Sequence, residues 1–82
     1  MIMADEIKVD VTMDLKGLKC PLPVVKVSQQ VKKMQVGQVL VAETTDPGAH
    51  ADFPAWAKTS GNEIINIVKE GDASKFYIKK LK

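Results

Sequence analysis

Residues 7–34, IKVDVTMDLKGLKCPLPVVKVSQQVKKM, change their hydrophobic period midway, and that change decides the fold. Ile7, Val9, Val11, Met13 and Leu15 alternate with Lys8, Asp10, Thr12, Asp14 and Lys16. Strict period two predicts a strand with one buried and one wet face, closed by Gly17. From Pro21 to Met34 the spacing becomes helical. Val24, Val27, Val31 and Met34 share one stripe, and Lys26, Gln29, Gln30, Lys32 and Lys33 lie opposite. Valine is a mediocre helix former, so burial of Val27 and Val31 must hold this helix. Gly37 is its expected stop.

Downstream, Val39-Leu40-Val41-Ala42 is a continuous apolar run, as expected of a central strand. Asp46-Pro47 reads as an N-cap followed by proline at the first helical position. Ala49, Phe53, Trp56 and Ala57 then form an apolar stripe up to Gly61. Phe53 and Trp56 are expected in the core. Pro54 should kink or restart this helix, with Asp52 as a second cap. Residues 63–69 read as a strand, Glu70-Gly71-Asp72 as a turn, and Phe76 and Ile78 as part of a last strand reaching Leu81. The last two strands form a hairpin.

The order β-α-β-α-β-β predicts an α/β chain, an α+β two-layer sandwich with a four-stranded mixed sheet. Right-handed crossovers put both helices on one face of that sheet. Lys8, Asp10, Thr12 and Asp14 would line the other, open face. Residues 1–82 leave room for one domain, with residues 1–6 expected to be flexible.

Hydrophobic residues at 45% and charged residues at 27% exclude disordered and fibrous classes. No apolar run approaches the ~20 residues of a membrane span, and MIMADEIK lacks the layout of a secretory signal. A cytoplasmic location is expected, with no membrane partner. All 12 basic residues are lysine, and aromatics are only 5%, which argues against specific nucleic-acid binding. No spacing of His, Cys and carboxylates suits a metal, no glycine-rich phosphate loop is present, and no cofactor is expected. The charges are segregated: residues 16–35 hold Lys16, Lys19, Lys26, Lys32 and Lys33 with no acid, around the only cysteine.

That cysteine, Cys20, sits in Gly17-Leu18-Lys19-Cys20-Pro21-Leu22-Pro23, between the first strand and first helix. Free cysteine usually packs as a small buried hydrophobe. This one lies off the apolar stripe, among lysines, in a loop stiffened by two prolines. Each proline disfavours helical backbone in the residue before it, pushing Cys20 and Leu22 toward extended conformations. Little core is expected to be at stake in the prolines themselves. The helix then begins no earlier than Pro21. Its dipole, a free amide such as that of Leu22, and the charges of Lys16 and Lys19 would favour a thiolate on Cys20. Asp46 is better read as a cap than as an acid catalyst, and His50 as a partly exposed residue of the second helix's first turn.

These residues resemble the small sulfur-carrier proteins of the TusA/SirA type. The marks are the Cys-Pro-x-Pro motif, Cys20-Pro21-Leu22-Pro23, and its lead-in Asp14-Leu15-Lys16-Gly17-Leu18-Lys19-Cys20. Asp46-Pro47 and Pro54 also match, and the likeness runs from about Val11 to Lys80. It implies a sulfurtransferase-like carrier. Cys20 would accept sulfane sulfur as a persulfide from an upstream donor protein, a cysteine desulfurase or a rhodanese-like protein, and pass it to a downstream acceptor protein. Family members serve transfer-RNA thiolation, molybdenum-cofactor maturation and sulfur oxidation. The residue between the prolines is acidic in well-known members of the transfer-RNA route; here it is Leu22. Gly17, Lys19, Pro21, Leu22 and Pro23 would shape the site, with Lys16 and Asp46 in support. A monomer or weak dimer is expected. The competing reading is a non-catalytic interaction or regulatory module that docks through the open sheet face and the lysine block.

Overall fold

The computed structural model describes residues 8–19 and 21–82. Ile7, the expected flexible residues 1–6 and Cys20 lie outside the described residues. The elements are β1 (Val11–Asp14), α1 (Leu22–Val31), β2 (Val39–Thr44), α2 (Ala49–Ser60), β3 (Glu63–Glu70) and β4 (Ala73–Lys79). They form a four-stranded sheet of order β1-β2-β4-β3. β1 runs parallel to β2, and β4 lies antiparallel to both β2 and β3. The α2 crossover therefore skips one strand position, which β4 fills when the chain turns back at Gly71.

Leu40 and Ala42 of β2 and Phe76 and Ile78 of β4 point to one face and meet Val27 and Val31 of α1 and Ala49 and Phe53 of α2. Both helices share that face and touch each other. The two-layer α+β arrangement is the one the hydrophobic pattern dictates. Phe53 stacks against Phe76 at 4.8 Å between ring centroids. Trp56 meets Phe53 edge-on and is half-buried.

Element ends differ from the sequence expectation, for reasons set by their partners. β1 is shorter than residues 7–15, and Val9 is exposed. Its partner β2 begins only at Val39, whose N–H is taken by the Asp10 carboxylate. β4 ends at Lys79 rather than Leu81, because beyond Val39 only irregular bonds from Gly37 and to Gln38 remain. β2 itself runs on to Thr44, past the apolar run, since β4 pairs with it along its whole length.

α1 stops at Val31, well before Gly37. Tight bonds from Lys33 to the Gln30 carbonyl and from Met34 to the Val31 carbonyl replace its last turn. The Lys80 ammonium also caps the Val31 carbonyl, at 2.7 Å. Met34 stays buried in the core despite leaving the helix. α2 starts at Ala49, not at Pro47, with Gly48 in the cap position. It runs unbroken through Pro54, so the proline neither ends nor restarts it. It closes at Gly61, whose φ of 79° is the left-handed backbone that glycine adopts without penalty.

β3 carries a bulge at Ile65, so that the pairing passes from Ile64–Ile78 to Asn66–Tyr77. The Asn66 side chain accepts the Ile67 N–H.

Candidate functional site

The site lies where β1 and β2 end. The β1–α1 loop turns back on itself through a Leu18 N–H to Leu15 carbonyl bond of 3.2 Å. The Lys16 N–H goes to the Asp14 carboxylate at 3.1 Å. Gly17 takes φ of 85°, a conformation that costs a side-chain-bearing residue ~1–2 kcal/mol. Its N–H donates to the Thr45 hydroxyl at 3.0 Å. Thr45 belongs to the β2–α2 loop, so this bond joins the two loops that follow the parallel strands.

The second loop is held from within. The Asp46 N–H donates to the buried Thr44 hydroxyl at 3.1 Å, and the Asp46 carboxylate accepts the Gly48 N–H at 3.2 Å. Asp46 thus caps a turn two residues ahead of α2 rather than the helix itself. Between the loops lies a cleft of about 330 Å³, lined by Gly17, Leu18, Lys19, Thr45, Asp46 and Pro47. It brings together Gly17, Lys19 and Asp46 from the expected set. Thr45 and Leu18 were not expected there. Thr45 meets Gly17 through a contact between distant parts of the chain that no local pattern announces.

Lys16 instead turns to Glu43 on β2, 3.8 Å away. A pair this exposed is worth only ~0–1 kcal/mol, but it directs that ammonium toward a carboxylate. The charge Lys16 lends to the loop is correspondingly reduced, whereas Lys19 stays exposed within the cleft wall.

The helix start differs from the expectation. Leu22 is the first residue of α1 although Pro23 follows it. The unfavourable backbone before proline is offset by the Leu22 N–H bond to the Lys19 carbonyl, 2.9 Å. That bond also occupies the Leu22 amide, which is therefore not free to favour a thiolate as expected. Pro21 has no N–H, and neither has Pro23, so the first turn of α1 offers little hydrogen bonding to an anion. Pro21 is exposed, Leu22 is 47% exposed, and Val25 stands exposed on the same side of the helix. Pro23 is fully buried, contrary to the expectation that little core depends on the prolines. It lies on the inward stripe with Val27, four residues on. Cys20, between Lys19 and Pro21, lies outside the described residues.

His50 sits in the first turn of α2, exposed overall, with Nε2 2.9 Å from the Ser74 hydroxyl. No helix among the described residues is long and apolar enough to cross a membrane.

Residues 11–80 match the family model described as Sulfurtransferase TusA. A protein of Aquifex aeolicus is 49% identical over 76 residues, covering 93% of this chain and 39% of its own length. The Bacillus subtilis protein YrkI is 40% identical over 73 residues, covering 89% of this chain and 97% of its own. The names of both contain the words sulfur carrier protein. The sulfur carrier protein TusA of Allochromatium vinosum is 44% identical over 71 residues, covering 87% of this chain and 93% of its own. This chain therefore spans under half of the Aquifex relative but nearly all of the other two.

Proposed function

Given that the chain belongs to the sulfurtransferase TusA family, we propose that it is a sulfur carrier whose acceptor atom is the Cys20 sulfur. The observation that carries this reading is the position of its only cysteine. Cys20 follows the cleft residue Lys19 and precedes the exposed Pro21 within the matched region.

The chemistry is a pair of thiol exchanges. The Cys20 thiolate attacks the terminal sulfur of a donor protein's persulfide. The donor S–S bond breaks, the donor leaves as a thiolate, and Cys20 holds the persulfide. A thiolate of the acceptor protein then attacks that outer sulfur, and Cys20 leaves as a thiolate. No net oxidant is consumed. With one cysteine in the chain, no neighbouring thiol can resolve the persulfide into an intramolecular disulfide.

The surrounding residues divide the remaining work. Gly17 and Thr45 fix the loop. Lys19 supplies the local positive charge that favours the anion, and the α1 dipole adds to it. Pro21 and Pro23 limit where the sulfur points. The donor is a cysteine desulfurase or a rhodanese-like protein, and the acceptor is a thiol-bearing enzyme of a sulfur-trafficking route. Leu22, apolar and exposed, sets this chain apart from carriers with an acid between the prolines and disfavours the transfer-RNA route. We assign the relay to a single domain in the cytoplasm, where reducing conditions keep a lone thiol available.

Alkylating Cys20 tests the reading against a docking module. A carrier loses all sulfur uptake and delivery on alkylation. A module that docks through its sheet face keeps its binding, and that result would overturn the proposal.

A further inference from the structure

Beside the Gly17–Lys19 cleft lies a larger cavity of about 630 Å³, and the two share Thr45, Asp46 and Pro47 as a common wall. It opens where β3 ends and β4 begins, and the exchange at Cys20 makes no use of its far side. Both volumes fall in the ~300–1,000 Å³ range of small-molecule sites.

The far side is built from polar groups held in place. His50 Nε2 lies 2.9 Å from the Ser74 hydroxyl, and its ring stands edge-on to Phe76 with 5.1 Å between centroids. Ser74 is only 5% exposed, so this hydroxyl is a buried polar group committed to the imidazole. Lys69 pairs in register with Ser74 across β3 and β4 and lines the same cavity. An imidazole, a hydroxyl and an ammonium thus gather at one end. Asp72, in the β3–β4 turn, adds a carboxylate to the lining. A guest that satisfies this wall carries both signs of charge: a carboxylate for the Lys69 ammonium, beside the paired His50 and Ser74, and an ammonium for Asp72.

We propose that the cavity binds the amino-acid end of a small zwitterionic persulfide, of the cysteine or glutathione type, with its sulfur toward the adjoining cleft, whose lining residue Lys19 precedes Cys20 in the chain. The inference rests on Cys20 being the sulfur acceptor and adds a loading route that needs no donor protein. The Cys20 thiolate bonds to the outer sulfur of R–S–SH, the S–S bond breaks, and the small thiol departs as RS⁻. Cys20 is left as Cys–S–SH, with the proton retained on the transferred sulfur.

The test uses two chemical donors, glutathione persulfide and inorganic polysulfide, with loading followed by intact mass at increasing donor concentration. Loading by glutathione persulfide should saturate. Lys69→Glu should raise its half-saturating concentration about fivefold, the upper scale of an exposed charge contact, and His50→Gln, which removes the lining imidazole, should raise it by less. Both variants should load from polysulfide at the unaltered rate, and unaltered urea midpoints show that they are folded. Unreactive S-methylglutathione should shift the His50 imidazole resonances, in Cys20→Ser as in the unaltered chain. Loading that stays linear into the millimolar range and is equal in all variants, with no imidazole shift, would overturn the proposal. Sulfur uptake from neither donor would instead sink the carrier reading, while the imidazole shift in Cys20→Ser still decides whether the cavity binds.

Discussion

The Gly17 amide and the Thr45 hydroxyl meet at 3.0 Å, although 28 positions separate them in the chain. The bond closes the end of the sheet: it fixes the loop after β1, which leads to Cys20, against the loop after β2. The placement of the β1–α1 loop therefore depends on the β1–β2 pairing and not only on its own prolines.

Thr45→Val removes this acceptor while keeping the shape. Because the bond is exposed, the loss in stability should be at the low end of the hydrogen-bond range, about 0.5–1 kcal/mol. Sulfur loading should slow by more than that loss accounts for, since the loop is freed. Unfolding by urea measured beside the loading rate checks both. An unchanged loading rate would leave the bond a structural tie only.

Val27 and Val31 carry the inward stripe of α1 and are buried in the core. Replacing either with alanine should cost about 1–3 kcal/mol, from lost transfer energy plus a residual cavity. Val27, fully buried, should cost more than Val31. Denaturant midpoints within noise of the unaltered chain at both positions would contradict the assigned packing.

Pro21 and Pro23 should separate. Pro23 is buried, so Pro23→Ala loses apolar contact and should destabilise by about 1–3 kcal/mol. Pro21 is exposed and should cost less than about 1 kcal/mol, chiefly through the unfolded chain. Its substitution should appear instead in the reactivity of Cys20 toward alkylation. Equal thermal shifts for the two variants would argue against this division.

Lys75 has its pKa raised above the ordinary lysine value of 10.5, first by its hydrogen bond to Glu70 and then by that carboxylate's charge. Their separation is 3.2 Å on the open sheet face. A group with a raised folded value contributes stability that is fully present below its unfolded value. That contribution is lost as pH rises through the folded value. Stability should therefore fall more steeply with pH above about 10.5 in the unaltered chain than in Glu70→Gln. Parallel curves would show that the pair adds nothing in solution.

β2 was legible as a continuous apolar run, and the other elements because they are amphipathic at their own periods. Val11 and Met13 alternate, Val27 and Val31 share a stripe, and Phe53 sits on the inward side of α2. Their ends were not, because partners set them. β1 is cut short by the late start of β2 at Val39. α1 is closed by the ammonium of Lys80, 49 positions away. The Ile65 bulge is hidden in the run Ile64-Ile65, where either isoleucine could face the core. At the site, Gly17, Lys19 and Asp46 stood out by their closeness to Cys20 or by their turn chemistry. Thr45 did not, since a threonine hydroxyl accepting a distant amide leaves no local signature. The role given to the Leu22 amide was lost to a backbone bond that only the folded turn reveals.

The proposed role of Cys20 is to accept one sulfur atom and hold it for a partner. Its most direct measurement is the intact mass of the reduced protein after incubation with a cysteine desulfurase and cysteine, or a rhodanese and thiosulfate. The protein should gain one sulfur that a reductant removes and that Cys20→Ser never acquires. No gain from either donor, or an equal gain in Cys20→Ser, would contradict it.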